Sequence, residues 1–149
     1  MNVLATIVIG MFLVGCPVSK EQKTSFTSVS KGNLFGAGKE GFKKENLVIS
    51  SKKVWKSFLH QMDEANKISE TFENSIDFSK DVIVVVIDEV RNTGGFSIEI
   101  TEVVSKDASL LVKIHSKGPK PTDMVTMAIV QPYHIIKMTK TNKKILFVE

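Results

Sequence analysis

Few residues in this chain have the types and spacing to do chemistry, and the one with the plainest setting is Cys16. It ends the stretch Leu13-Val14-Gly15-Cys16, which closes an uncharged apolar run that begins at Met1. A small residue before a cysteine suits a signal peptidase that cuts between them, and the thiol of Cys16 is the natural nucleophile for a diacylglyceryl thioether. The run is well short of the ~20 residues that cross a bilayer, so a cleaved export signal fits better than a transmembrane helix. No Lys or Arg precedes it, a departure from the usual positively charged start of such signals. On this reading residues 1–15 are a signal peptide. Cys16, the only cysteine, carries a lipid that anchors the mature protein in the bacterial cell envelope.

Catalytic and ligand-binding chemistry finds little else. His60, His115 and His134 are the only imidazoles, with no metal-ligand spacing among them, no Gly-x-Ser-x-Gly elbow and no zinc-protease motif. Asp88 and Glu89 are adjacent, and adjacent residues of a strand point to opposite faces, so they read as a strand end. Gly36-Ala37-Gly38-Lys39-Glu40-Gly41 matches the dinucleotide-binding glycine pattern in form only, because no apolar strand precedes it and no βαβ unit surrounds it. The expectation is a non-enzyme without cofactor, metal or small-molecule substrate. The net charge of +4 comes almost wholly from lysines dispersed among acidic residues, and Arg91 is the only arginine. Nucleic-acid readers lean on arginine for bidentate contacts, so nucleic acid is not an expected partner.

The elements that must position any site are legible from periodicity. Pro17 to Ser30 is Lys, Gln, Thr and Ser with little to bury, and reads as a tether. Lys31 to Glu45 is glycine-rich and turn-prone, with Phe35 and Phe42 available to pin it to the domain. Residues 16–45 are therefore expected as lipidated N-terminus, tether and lead-in, and 46–149 as the domain. Asn46 to Ser50 reads as a short strand. Ser50 or Ser51 then caps a helix whose Val54, Trp55, Phe58, Leu59 and Met62 form one apolar stripe to cover a sheet. Asp63 to Ser75 loses the period and reads as a frayed end and loop.

Val82 to Ile87 is a continuous β-branched run, the mark of a strand covered on both faces. Arg91-Asn92-Thr93-Gly94-Gly95 turns the chain, and Phe96, Ile98 and Ile100 alternate as a half-buried strand requires. A turn at Lys106-Asp107-Ala108 leads to Leu110, Val112 and Ile114. After the Gly118-Pro119-Lys120-Pro121 loop, strands are expected at Met124 to Val130, at His134 to Met138 with Pro132 bending or edging the chain, and at Ile145 to Val148. One helix and about five to six sequential strands is an α+β pattern: an antiparallel sheet or sandwich with the amphipathic helix packed on it.

Three blocks carry a family resemblance. Asp77-Phe78-Ser79, Thr93-Gly94-Gly95-Phe96-Ser97-Ile98-Glu99-Ile100 and Gln131-Pro132-Tyr133-His134-Ile135-Ile136 resemble the signature blocks of the protease complex subunit PrcB C-terminal domain family, over roughly 48–138. Phe96 stands where that family favours Tyr, and Asn92 where Pro is common. The resemblance implies an exported or lipidated accessory protein that associates with a surface protease and stabilises it. A fainter similarity is to chagasin-like inhibitors of cysteine peptidases, which present a Thr-Gly-aromatic loop beside a Pro-aromatic loop. Here Thr93-Gly94-Gly95-Phe96 and Gln131-Pro132-Tyr133 echo the two. These residues with His134 are the candidate partner-binding set, expected to lie together on one exposed surface.

Overall fold

A computed structural model describes residues 21–72 and 75–149, so Cys16 and the expected signal peptide lie outside the described residues. Among the described residues, eight strands form two four-stranded sheets. Strands β1 (Gln22–Lys23), β5 (Ser97–Lys106), β6 (Ser109–Lys117) and β8 (Lys144–Val148) make sheet A in the order β1-β5-β6-β8. Strands β2 (Phe26–Leu34), β3 (Glu45–Ile49), β4 (Asp81–Ile87) and β7 (Gln131–Thr139) make sheet B in the order β2-β7-β4-β3. One helix, α1 (Lys52–Met62), packs on the outer face of sheet B.

The valine run of β4 explains the layering. Alternate side chains leave opposite faces of a strand, so Val82, Val84 and Val86 meet Ile98, Ile100, Val112 and Ile114 of sheet A, while Ile83, Val85 and Ile87 meet the helix layer. Every residue from Val82 to Ile87 is buried. The α+β expectation holds, with more strands than expected.

Ser51 caps α1, its hydroxyl accepting from the Val54 amide. Trp55, Phe58 and Met62 are buried and Leu59 packs beside them, but Val54 is exposed, so the buried stripe is narrower than the apolar pattern. The tract after α1 is not a plain loop. Asp63 accepts from the amide and hydroxyl of Ser69, holding a 3-10 turn at Ile68–Thr71 that delivers Phe72 to the core.

Three expectations are corrected. Half of the expected tether is strand: β2 pairs antiparallel with β7 along its whole length, and β1 pairs with β5. An edge strand is held by main-chain hydrogen bonds, which need no apolar side chains, so Ser and Thr do not exclude it. Residues from Met124 to Val130 do not form a strand apart from an isolated bridge at Val130. This segment carries the chain from β6 in sheet A to β7 in sheet B, so it cannot run along either sheet. Finally, β8 lies parallel to β6. The two connections between them each reverse the chain, so β8 regains the direction of β6.

Candidate functional site

The block Gln131-Pro132-Tyr133-His134 opens β7, which is flanked by β2 and β4 rather than lying at an edge. All four residues are buried, which corrects the expectation that they form an exposed surface or a bent edge. Pro132 is tolerated because its neighbour replaces the hydrogen bond it cannot make. The Asp88 amide donates to the Pro132 carbonyl at 2.9 Å; the reciprocal bond of such an antiparallel pair would need a Pro132 N–H. Instead Gln131 Nε2 donates to the Asp88 carbonyl at 2.9 Å and to the Phe42 carbonyl at 3.1 Å. Replacing Gln131 by Leu should therefore cost about 1–3 kcal/mol, the usual penalty for buried acceptors left unpaired. Adding Pro132→Ala, which restores an N–H beside the Asp88 carbonyl, should recover part of it in denaturant melts. Additive losses would show that the side chain does not stand in for the missing amide.

Tyr133 and His134 point to opposite faces of sheet B. Tyr133 joins the helix-side core, with its hydroxyl 3.0 Å from Ser30 Oγ, and burial raises its pKa. His134 faces sheet A and is 2% exposed. Its Nδ1 accepts from the Ile100 amide at 2.8 Å, so Nε2 carries the hydrogen and donates to Ser28 Oγ at 3.0 Å. The bond meets β5 at the irregularity between Ile100 and Glu102. Burial, aided by the Lys31 charge and opposed by Glu99, lowers the His134 pKa to about 4. This imidazole ties the two sheets together.

What is exposed at this end of sheet B is a ridge of two segments, 88–96 and 118–130. Arg91 and Val130 exchange both backbone hydrogen bonds, at 2.7 and 3.0 Å, and the Gly94 amide donates to the Thr126 carbonyl at 3.0 Å. Gly94 suits that approach: a Cβ there would meet Thr126 Oγ1 at 2.3 Å and force that side chain to turn away. Arg91 organises the ridge. Its Nε and Nη2 converge on Asp88 Oδ2 at 3.0 and 2.8 Å, Nη1 pairs with Glu89 at 2.8 Å, and its guanidinium lies 4.6 Å from the Phe96 ring centre. Asp88 is buried and Phe96 half-buried, so this cluster is a rigid base.

Thr93 is half-buried, Gly94 buried and Gly95 exposed. The base of their loop does lie beside the start of β7, as expected, but the neighbouring surface is supplied by other residues. Met124 and Met127 are 102% and 89% exposed, with Val90 and Ile129 also open to solvent. Sequence reasoning missed these four and the role of Arg91. Met124, Met127 and Ile129 read as part of a strand, and only the failure of Met124 to Val130 to alternate pointed elsewhere.

The glycine pattern at Gly36 to Gly41 is a closed turn. Glu40 Oε1 accepts from the Gly36 amide at 2.9 Å, occupying a donor that a phosphate would need, and a Cβ on Gly36 would lie 2.3 Å from the same oxygen. Among the described residues, no group of three or more His, Cys, Asp or Glu is placed to hold a metal ion.

No curated protein and no solved structure matches the chain significantly. A family model does match, across the elements that build this end of the molecule: residues 82–139, from β4 through the ridge to the end of β7, match the family described as PrcB C-terminal, the one that the sequence blocks resemble.

Proposed function

We propose that this chain is a lipid-anchored, non-catalytic accessory module of the bacterial envelope that docks an exported protein partner, a protease first among candidates, through the ridge of 88–96 and 118–130. The family match suggests a domain associated with a protease complex. The observation that carries the choice of surface is the full exposure of Met124 and Met127 on a loop whose backbone is pinned to the Arg91 cluster. Methionine is an adaptable apolar contact and is enriched, with arginine and aromatics, at protein interfaces. The chagasin-like reading is less favoured, because Pro132 and Tyr133 lie buried in β7 and leave no second loop to insert into a peptidase.

The double substitution Met124→Ser with Met127→Ser is expected to weaken capture of the partner at least about tenfold, or 1.4 kcal/mol, without moving the melting temperature. Crosslinking from position 127 in intact cells identifies the partner. Wild-type recovery by the double variant would move the binding face off the ridge. If the partner is a protease, the accessory reading requires its lifetime to fall when this chain is removed, whereas an inhibitor would raise its activity on removal.

Anchoring through Cys16 has its own consequence. Because β1 already begins at Gln22, the lipid would hold the domain close to the membrane surface. Cys16→Ser should abolish labelling by a fatty-acid analogue and release the protein to the soluble fraction, since two or more acyl chains are what make anchoring stable. Equal labelling of the variant would refute the anchor.

A further inference from the structure

The two sides of the sandwich are bridged differently, with a buried side-chain bond between the sheets on one side only. On that side the His134 bond to Ile100 and the Lys31–Glu99 ion pair at 2.8 Å connect the sheets. On the opposite side stand two edge strands, β3 of sheet B and β8 of sheet A, with a Lys44–Glu149 ion pair at 3.0 Å linking the two. Edges are normally blunted by lysine, proline, a bulge or extreme shortness. On the other side of the fold β1 is two residues long and β2 has a register shift at Ser28/Ser30. By contrast β3, Glu-Asn-Leu-Val-Ile, has an unbroken register with β4, no lysine or proline, and its one charge, Glu45, at its first residue.

Both flanks of β3 are hollow. Toward α1 a groove of about 330 Å³ is lined by Phe42, Leu47, Val54 and Phe58. Toward sheet A a gap of about 310 Å³ is lined by Val48, Val82, Ile145, Lys140 and Lys143. A strand laid against β3 would send successive side chains alternately into the two spaces. The two spaces differ in charge. Lys140 and Lys143 bond only neutral acceptors, the Phe78 carbonyl and Ser105 Oγ, and Lys52 and Lys53 open α1 after the Ser50-Ser51 link from β3; none of the four has an ion pair among the described residues.

We propose that β3 receives an extended segment of a partner protein as an added strand of sheet B, with apolar residues facing α1 alternating with acidic residues facing Lys140 and Lys143. Main-chain bonds to the open edge supply affinity, and the alternating pockets supply specificity. This surface is separate from the ridge of 88–96 and 118–130, so either can fail without the other.

The probe is a short capped peptide in which valine alternates with glutamate, titrated against the full chain in detergent by fluorescence anisotropy. It should bind at least about tenfold more tightly than its valine–lysine counterpart. N-methylation at alternate amides should abolish binding in one of the two registers and spare the other, because only one row of amides faces β3. Val54→Glu, at an exposed position lining the groove, should weaken binding without changing the melting temperature, and Lys140→Glu with Lys143→Glu should reverse the preference to the lysine peptide. No binding, binding indifferent to N-methylation in both registers, or equal affinity for both peptides would overturn the proposal. So would a concentration-dependent dimer dispersed by Val54→Glu, which would assign the edge to a second copy of this chain.

Discussion

Trp55→Ala is expected to lower stability by about 3–5 kcal/mol, the range for aromatic truncation in cores. Trp55 is buried between α1 and sheet B and stacks on Phe58 with ring centres 5.6 Å apart, and Phe58 in turn meets Phe42 at 5.4 Å. Removing the indole opens a cavity at the head of this aromatic chain. A domain of this size should lose roughly 10–20 °C in melting temperature. Val54→Ala is the internal control, one position away on the exposed side of the same turn, and should stay within about 0.5 kcal/mol. If the two variants melt together, the helix does not depend on sheet B for its place.

The second large effect is loss of stability in mild acid, and its source is His134. Its folded pKa of about 4 lies below the ordinary 6.5. Above pH 6.5 the ring is neutral in both folded and unfolded chains, and its contribution is fully present. As pH falls from 6.5 toward 4 the unfolded chain takes up a proton that the folded chain refuses. That shift costs about 3 kcal/mol in all, then levels off once the folded ring also protonates. Protonation also destroys the acceptor at Nδ1, so the Ile100 amide would lose its partner at the junction of the sheets. His134→Gln keeps an acceptor without a titrating ring. The stability of wild type minus that of the variant should therefore be flat above pH 6.5 and fall by about 3 kcal/mol as pH drops toward 4. A wild-type ring signal that titrates near 6.5 by NMR would refute the burial argument.

Sequence alone determined the elements whose stability is local. The β-branched run Val82 to Ile87 declared a strand covered on both faces, because no other arrangement hides six consecutive apolar side chains in an extended chain. The Trp55 stripe declared a helix on a sheet, and Lys106-Asp107-Ala108 marked the hairpin in which Asp107 takes a positive φ of 50°. Two of the three signature blocks, 93–100 and 131–136, fall inside the segment 82–139 that matches the PrcB C-terminal family model, and the third, 77–79, lies just before it. What the tertiary structure decided was which segments are neighbours, because strand pairing is made by backbone groups that carry no sequence signature. Residues 26–30 look like a soluble tether and 31–34 like a turn-rich lead-in until β7 supplies their hydrogen bonds, and Ser28 reaches His134 across 106 positions of chain. That one pairing turned Gln131 to His134 from a candidate surface into interior, since β7 has β2 on one side and β4 on the other. With β7 enclosed, the crossover leading into it was left outside, and the apolar residues Met124 and Met127 that composition assigned to a strand became the exposed face of the domain.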